Sequence, residues 1–214
     1  MDQDTTTPRS VLSRAVAAGR CTPISIGPDC TASVVIDDLG LRLAAYPFDW
    51  LNSSSAMVED CLDDDFAAFL DPRLHEQRSK RQSDHVLYRD RYGLKAIFSH
   101  HAMPASLDHF QRAVARFREA PAPVFVLVST MTPPDMAAIA RLRSKLRGPV
   151  LAYAFLGPDA DELSPRDITS IRMTSKWRAD NLRQELEHSG LHKRLERDIM
   201  NAVGLTDETL DAPS

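Results

Sequence analysis

Two apolar runs, residues 124–128 (VFVLV) and 150–156 (VLAYAFL), restrict the fold more than any other part of this 214-residue chain. Neither contains a charge, and the first is rich in β-branched side chains, as expected of strands buried on both faces. Between them, Thr132-Pro133-Pro134-Asp135 opens a segment in which Met136, Ile139, Leu142 and Leu146 recur at helical spacing, and Gly148-Pro149 closes it. Two strands joined by one helical crossover lie parallel, and such units are right-handed. The sequence therefore predicts an α/β fold: a single domain holding a mixed sheet with a parallel βαβ unit and helices on both faces. An apolar share of 43% is ample for that core. Residues 1–20 read as a weakly ordered lead-in with a short helix at 11–18, residues 21–204 as the domain, and residues 205–214 as a frayed tail.

The first half is less regular. Ile24-Ser25-Ile26 suits a buried strand, which Gly27-Pro28-Asp29 interrupts. A helix then starts at Cys30, with Val34, Val35 and Leu39 on its apolar side, Ile36 beside them and Gly40 at its end. Residues 41–45 either pair as a strand or lead into Tyr46-Pro47-Phe48-Asp49-Trp50. Asn52-Ser53-Ser54-Ser55 offers N-caps for a helix through Met57, Val58, Cys61 and Leu62. Residues 66–70 suit a further helical turn, stopped by Asp71-Pro72. Residues 73–84 are polar and basic and read as a surface loop. Residues 85–88 and 94–98 read as a hairpin about 89–93. Leu107, Phe110, Val114 and Phe117 mark a helix, residues 168–174 a further strand, and residues 177–203 a charged helix or helix pair. No internal repeat is present.

A net charge of −4 lacks the basic footprint of a nucleic-acid binder. No apolar run approaches the roughly 20 residues of a membrane span, and the N-terminus lacks the apolar stretch of a secretion signal. Three cysteines, Cys21, Cys30 and Cys61, form no CxxC pair and no zinc-type spacing. These features lead us to expect a cytoplasmic protein with no cofactor, no nucleic acid and no membrane partner.

Cys30 stands where a strand gives way to a helix. The partial positive charge of a helix start favours thiolate, the nucleophilic form; the plainer reading is a small side chain buried at a strand–helix junction. His100 and His101 precede a helix, and imidazole suits a base near neutrality. Each could equally be a surface or capping residue. Asp49, between Phe48 and Trp50, should be buried and hydrogen-bonded, either orienting His100 or holding a structural turn. Cys61 reads as core, and His85, His109, His188 and His192 as ordinary helix or strand residues.

Ser25-Ile26-Gly27-Pro28-Asp29-Cys30, then Gly40-Leu41-Arg42, then Pro47-Phe48-Asp49-Trp50 resemble the S-x-G-x-x-C, G-x-R and P-F-D-W blocks of DUF1796, a bacterial family described as putative papain-like cysteine peptidases. Phe66-Ala67-Ala68-Phe69-Leu70, Phe98-Ser99-His100 and Arg116-Phe117 continue the resemblance to about residue 130, although many relatives carry His-Asp where this chain has His100-His101. The resemblance implies thiol hydrolase or acyltransferase chemistry on a peptide or other acyl substrate, with catalytic Cys30 and His100. Asp49 is the acid that our own reading adds. The amide after Gly27 and those opening the helix would form the oxyanion hole. Two other readings stand beside it. One is a non-catalytic module holding a phosphate or sugar conjugate at the Gly27–Cys30 turn. The other is an ester hydrolase using Ser25 or Ser99, neither of which lies in a G-x-S-x-G elbow.

Overall fold

The two apolar runs form neighbouring parallel strands. The computed structural model describes residues 10–130, 134–156, 168–172 and 182–206. Its main sheet contains β1 (Thr22–Pro28), β4 (Pro123–Ser129), β5 (Val150–Leu156) and β6 (Thr169–Arg172), in that order and all parallel. The antiparallel component is a separate pair, β2 (His75–Gln77) and β3 (Ser83–His85). The helices are α1 (Val11–Ala17), α2 (Thr31–Asp38), α3 (Ser55–Asp63), α4 (Val86–Tyr92), α5 (Leu107–Glu119), α6 (Met136–Lys145), α7 (Leu182–His188) and α8 (Leu191–Ala202). None is long and apolar enough to cross a membrane, among the described residues.

Strand alternation divides the interior into two cores. In β4, Val124, Val126 and Val128 meet Leu12 of α1, Val35 and Ile36 of α2, and Leu191, Leu195 and Ile199 of α8. Phe125 and Leu127 turn the other way, towards Met57 and Val58 of α3, Phe110 and Val114 of α5, and Ile139 and Leu142 of α6. Helices therefore cover both faces. The second core is dominated by aromatic rings. Phe69, fully buried, lies 5.4–6.0 Å from the rings of Phe48, Phe66, Phe98 and Phe110.

Two local expectations are corrected. The hairpin at 85–98 does not form. His85 accepts the Tyr88 amide through Nδ1 (3.3 Å) and so caps α4, which Gly93 ends at φ +67°. Tyr88 drives the change, because the helix buries its ring completely. Residues 73–84 are not wholly a surface loop either. Ser83 and Asp84 are fully buried, and the Asp84 carboxylate faces Arg78. Residues 66–70 form the single expected turn, with Leu70 N donating to Phe66 O (3.0 Å), and residues 41–45 lead into Tyr46 without joining a strand. The final helix is a pair, broken at Ser189-Gly190. Residues 132, 133, 173, 174 and 177–181 of the predicted elements, and most of the predicted lead-in and tail, lie outside the described residues.

A ribbon of backbone bonds connects the sheet to the small hairpin. Ser53 N donates to Pro28 O (2.6 Å) and Asn52 N to Ile97 O (3.0 Å), Leu51 bridges Phe98, and Phe98 exchanges both bonds with Ser83 (3.0 and 3.1 Å). This ribbon brings residues 28, 50–53, 83 and 97–100 to one region.

Candidate functional site

β1 ends in a tight approach. Gly27 has φ +85°, and a Cβ placed there would lie 2.1 Å from Ser53 Oγ. We expect Gly27→Ala to cost about 1–2 kcal/mol from the left-handed backbone alone, plus whatever the displaced hydroxyl adds. Chemical denaturation of Gly27→Ala, alone and with Ser53→Gly, separates the two parts, because only the clash is relieved in the double variant. Full recovery in the double variant would show that the backbone conformation costs nothing.

The turn then builds the start of α2. Asp29 Oδ1 accepts the Thr31 amide (2.8 Å), and Oδ2 accepts the Thr130 hydroxyl (2.7 Å), tying the end of β1 to the residue after β4. Cys30 is the N-cap residue and is partly accessible, whereas Cys21 and Cys61 are fully buried. Burial pushes the Cys30 thiol up, the Asp29 carboxylate adds to this, and the residue's own backbone amide pulls the other way. Burial and Asp29 thus oppose the thiolate-favouring effect of the helix start. Asp29 already supplies the negative charge that the helix start attracts. The oxyanion expectation changes too: residue 28 is proline and has no N–H, and the Thr31 amide serves Asp29.

Asp49 is buried, as expected. Its Oδ2 accepts the Tyr46 amide (2.8 Å) and lies 3.4 Å from Arg42 Nη2, while Ser33 Oγ donates to the Asp49 backbone oxygen and approaches Oδ1 (3.4 Å). Burial pushes the Asp49 carboxyl up to about 6, against the opposing pull of the Tyr46 amide, Arg42 and Ser33. Arg42 also lies over the Trp50 ring (5.0 Å), and Trp50 meets His100 edge-to-face (5.6 Å). Cys30 and Ser33, three residues apart, share one side of α2. Asp49-Trp50 therefore touches the Cys30 helix through Ser33 and His100 through Trp50. Sequence reasoning missed Ser33, Arg42 and Trp50 as contributors. The available signals were the G-x-R spacing for Arg42 and, for Ser33, its place one turn after Cys30.

His100 and His101 are exposed on a bend directly after Phe98. Among the described residues, no hydrogen bond joins His100 to Cys30 or to Asp49. His101 stacks on His109 (4.6 Å), and burial, then the neighbouring His100 and Arg42, push its imidazole down. A separate cavity of about 200 Å³ opens at the carboxyl ends of β1 and β4, between the starts of α3 and α6. Ser53 lines it, and the Ser53 hydroxyl is buried without a hydrogen-bond partner. Among the described residues, no group of three or more His, Cys, Asp or Glu side chains is arranged to hold a metal ion.

Residues 22–124 match the family model of DUF1796, described as "Putative papain-like cysteine peptidase". No curated protein and no solved structure matches the chain. The matched segment runs from the first strand of the sheet to the start of β4 and carries Cys30, Asp49 and His100 alike, and over that segment the chain is similar to the DUF1796 family.

Proposed function

We propose that this chain is a thiol hydrolase or acyltransferase of the cysteine-peptidase kind, with Cys30 as nucleophile and His100 as base. One observation carries this reading. Cys30 is the one partly accessible thiol of the three, and it stands at the carboxyl end of a parallel strand, the edge where α/β sheets collect their sites. Burial and the Asp29 carboxylate favour the protonated thiol, so attack calls for a base at that moment. Cys30 Sγ attacks the substrate carbonyl carbon while His100 takes the thiol proton. The tetrahedral adduct collapses to a thioester, and the proton passes from His100 to the leaving amine. Water, or an acceptor nucleophile, then releases the acyl group. Catalytic hydrogen bonds tighten when substrate binds, and His100 is carried by an exposed bend. Asp49 serves as a positioning residue: it anchors Arg42 and the turn that presents Trp50 to His100.

The nucleophile sits on an eight-residue helix beside a parallel sheet. Papain-like architecture uses a long helix against an antiparallel sheet, so the family's chemistry is carried here by the site rather than by that fold. The test is mass spectrometry of the protein after incubation with a panel of acyl esters and thioesters. Acylation of Cys30, absent in Cys30→Ala and slowed in His100→Ala, is the expected result. Turnover that persists in Cys30→Ala would end the nucleophile reading.

The alternative, a binding module, has its own support in the cavity lined by Ser53. Its site would be that cavity rather than the start of α2, which the Asp29 carboxylate occupies.

A further inference from the structure

His100 forms part of a broad open depression of about 920 Å³. Residues 79–82 make one wall, and Ser99, His100 and His101 the other. The first wall is the turn joining β2 to β3. Arg78 N and Ser79 N both donate to Gln82 O (2.8 and 3.1 Å), and Arg81 N donates to Ser79 Oγ (3.2 Å). The turn is held against the second wall by the paired backbone bonds of Ser83 and Phe98. The two walls therefore keep a defined separation, although both are exposed.

The depression is cationic in a chain of net charge −4. Lys80 and Arg81 are exposed, and neither forms an ion pair with the described residues. Asp84 is fully buried against Arg78 and Asp49 is buried against Arg42, whereas Asp108, beside His109, is exposed. The same character extends past the histidines. His109, stacked on His101, has its imidazole pushed down by burial and then by His101, Arg116, Arg112 and Arg42.

We propose that this depression takes an acidic polypeptide segment of the substrate, with Asp or Glu carboxylates paired to Lys80 and Arg81 while the reacting carbonyl lies towards His100. The proposal rests on the acyl-transfer reading above and assigns it a substrate class. A nucleic acid fits less well. Two unpaired cations on a net-negative chain fall far short of the roughly 6–10 phosphate contacts of typical binders. Exposed ion pairs are individually weak and easily screened, so the groove selects among peptides more than it grips them.

The experiment is fluorescence anisotropy of a labelled Glu-rich decapeptide with full-length Cys30→Ala, which cannot turn over through that thiol. We expect saturable binding at low salt. It should weaken about tenfold in the added double variant Lys80→Ala/Arg81→Ala, and disappear near 1 M salt, where the screening length is about 3 Å. Both substitutions lie on an exposed turn and leave the buried Ser83–Phe98 pairing intact. Unchanged affinity in the double variant, no binding at all, equal binding of a Lys-rich or Gly/Ser-rich peptide, or tighter binding of a single-stranded oligonucleotide would each overturn the proposal. The two readings fail separately. Peptide binding without any acyl adduct on wild-type Cys30 removes the acyl-transfer reading and leaves the groove. An adduct formed with no preference for acidic peptides does the reverse.

Discussion

Phe69→Ala is expected to lower stability by about 3–5 kcal/mol, the range for removing a large buried aromatic side chain. The ring is fully buried and touches four other rings, three of them near edge-on, so the loss includes aromatic geometry as well as area. For a chain of this length that is a fall in Tm of roughly 10 °C. Urea denaturation gives the free energy directly. Leu43→Ala is the matched control, because Leu43 is 65% exposed and should change stability by less than about 0.5 kcal/mol. A loss below about 1.5 kcal/mol at Phe69 would mean that the aromatic core closes over the gap. The site should feel the change as well. Phe48 precedes Asp49-Trp50 and Phe98 precedes Ser99-His100, so one missing ring loosens both segments.

Asp49→Ala should cost about 2–3 kcal/mol at neutral pH. It removes the acceptor of the Tyr46 amide and the partner of Arg42. The cost stays below that of a fully buried ion pair because the Arg42 side chain is 20% exposed. Asp49→Asn gives the cleaner pH experiment. Unfolded, the carboxyl ionises near its ordinary 3.8; folded, it keeps its proton to about 6. Between those values the folded state binds more protons, so stability falls as pH rises through this window and is flat on either side. The full drop is about 3 kcal/mol at 1.36 kcal/mol per pH unit. Wild type should therefore lose ground to Asp49→Asn between pH 4 and pH 6. Parallel curves for the two proteins across that range would show that Asp49 titrates normally. An unchanged melting temperature in Asp49→Ala would contradict its anchoring role.

Several site features were legible because their causes are local. Burial of Asp49 followed from the aromatic residues on either side of it, and the helix start at Cys30 from the Gly-Pro-Asp turn before it. The state of the Cys30 thiol was not legible. A helix start was expected to lower its pKa, but Asp29, one residue earlier, folds its own carboxylate onto that start. The sequence contains Asp29 in plain view; whether a side chain turns towards the helix or towards solvent is settled only by what surrounds it. Here the Thr130 hydroxyl, about a hundred residues away, donates to the other oxygen.

The sequence by itself determined the parallel strand–helix–strand unit, since apolar runs of that length with one helical crossover have no other economical arrangement. It also determined helices on both faces, because residues 124–128 of β4 are all apolar and both faces must be covered. Only the tertiary structure decided the region between residues 66 and 100. There the same apolar residues suit a hairpin or a short helix, and the choice went to α4 because that helix buries the Tyr88 ring while His85 caps it. The neighbourhood of Cys30 was decided in the same way. Residues 50–53 lie between the end of β1 and the segment leading to His100, an arrangement made of backbone bonds from Ser53 to Pro28 and from Asn52 to Ile97. Backbone bonds of that kind are open to almost any side chain, so no pattern of residues announces which distant segments will share them.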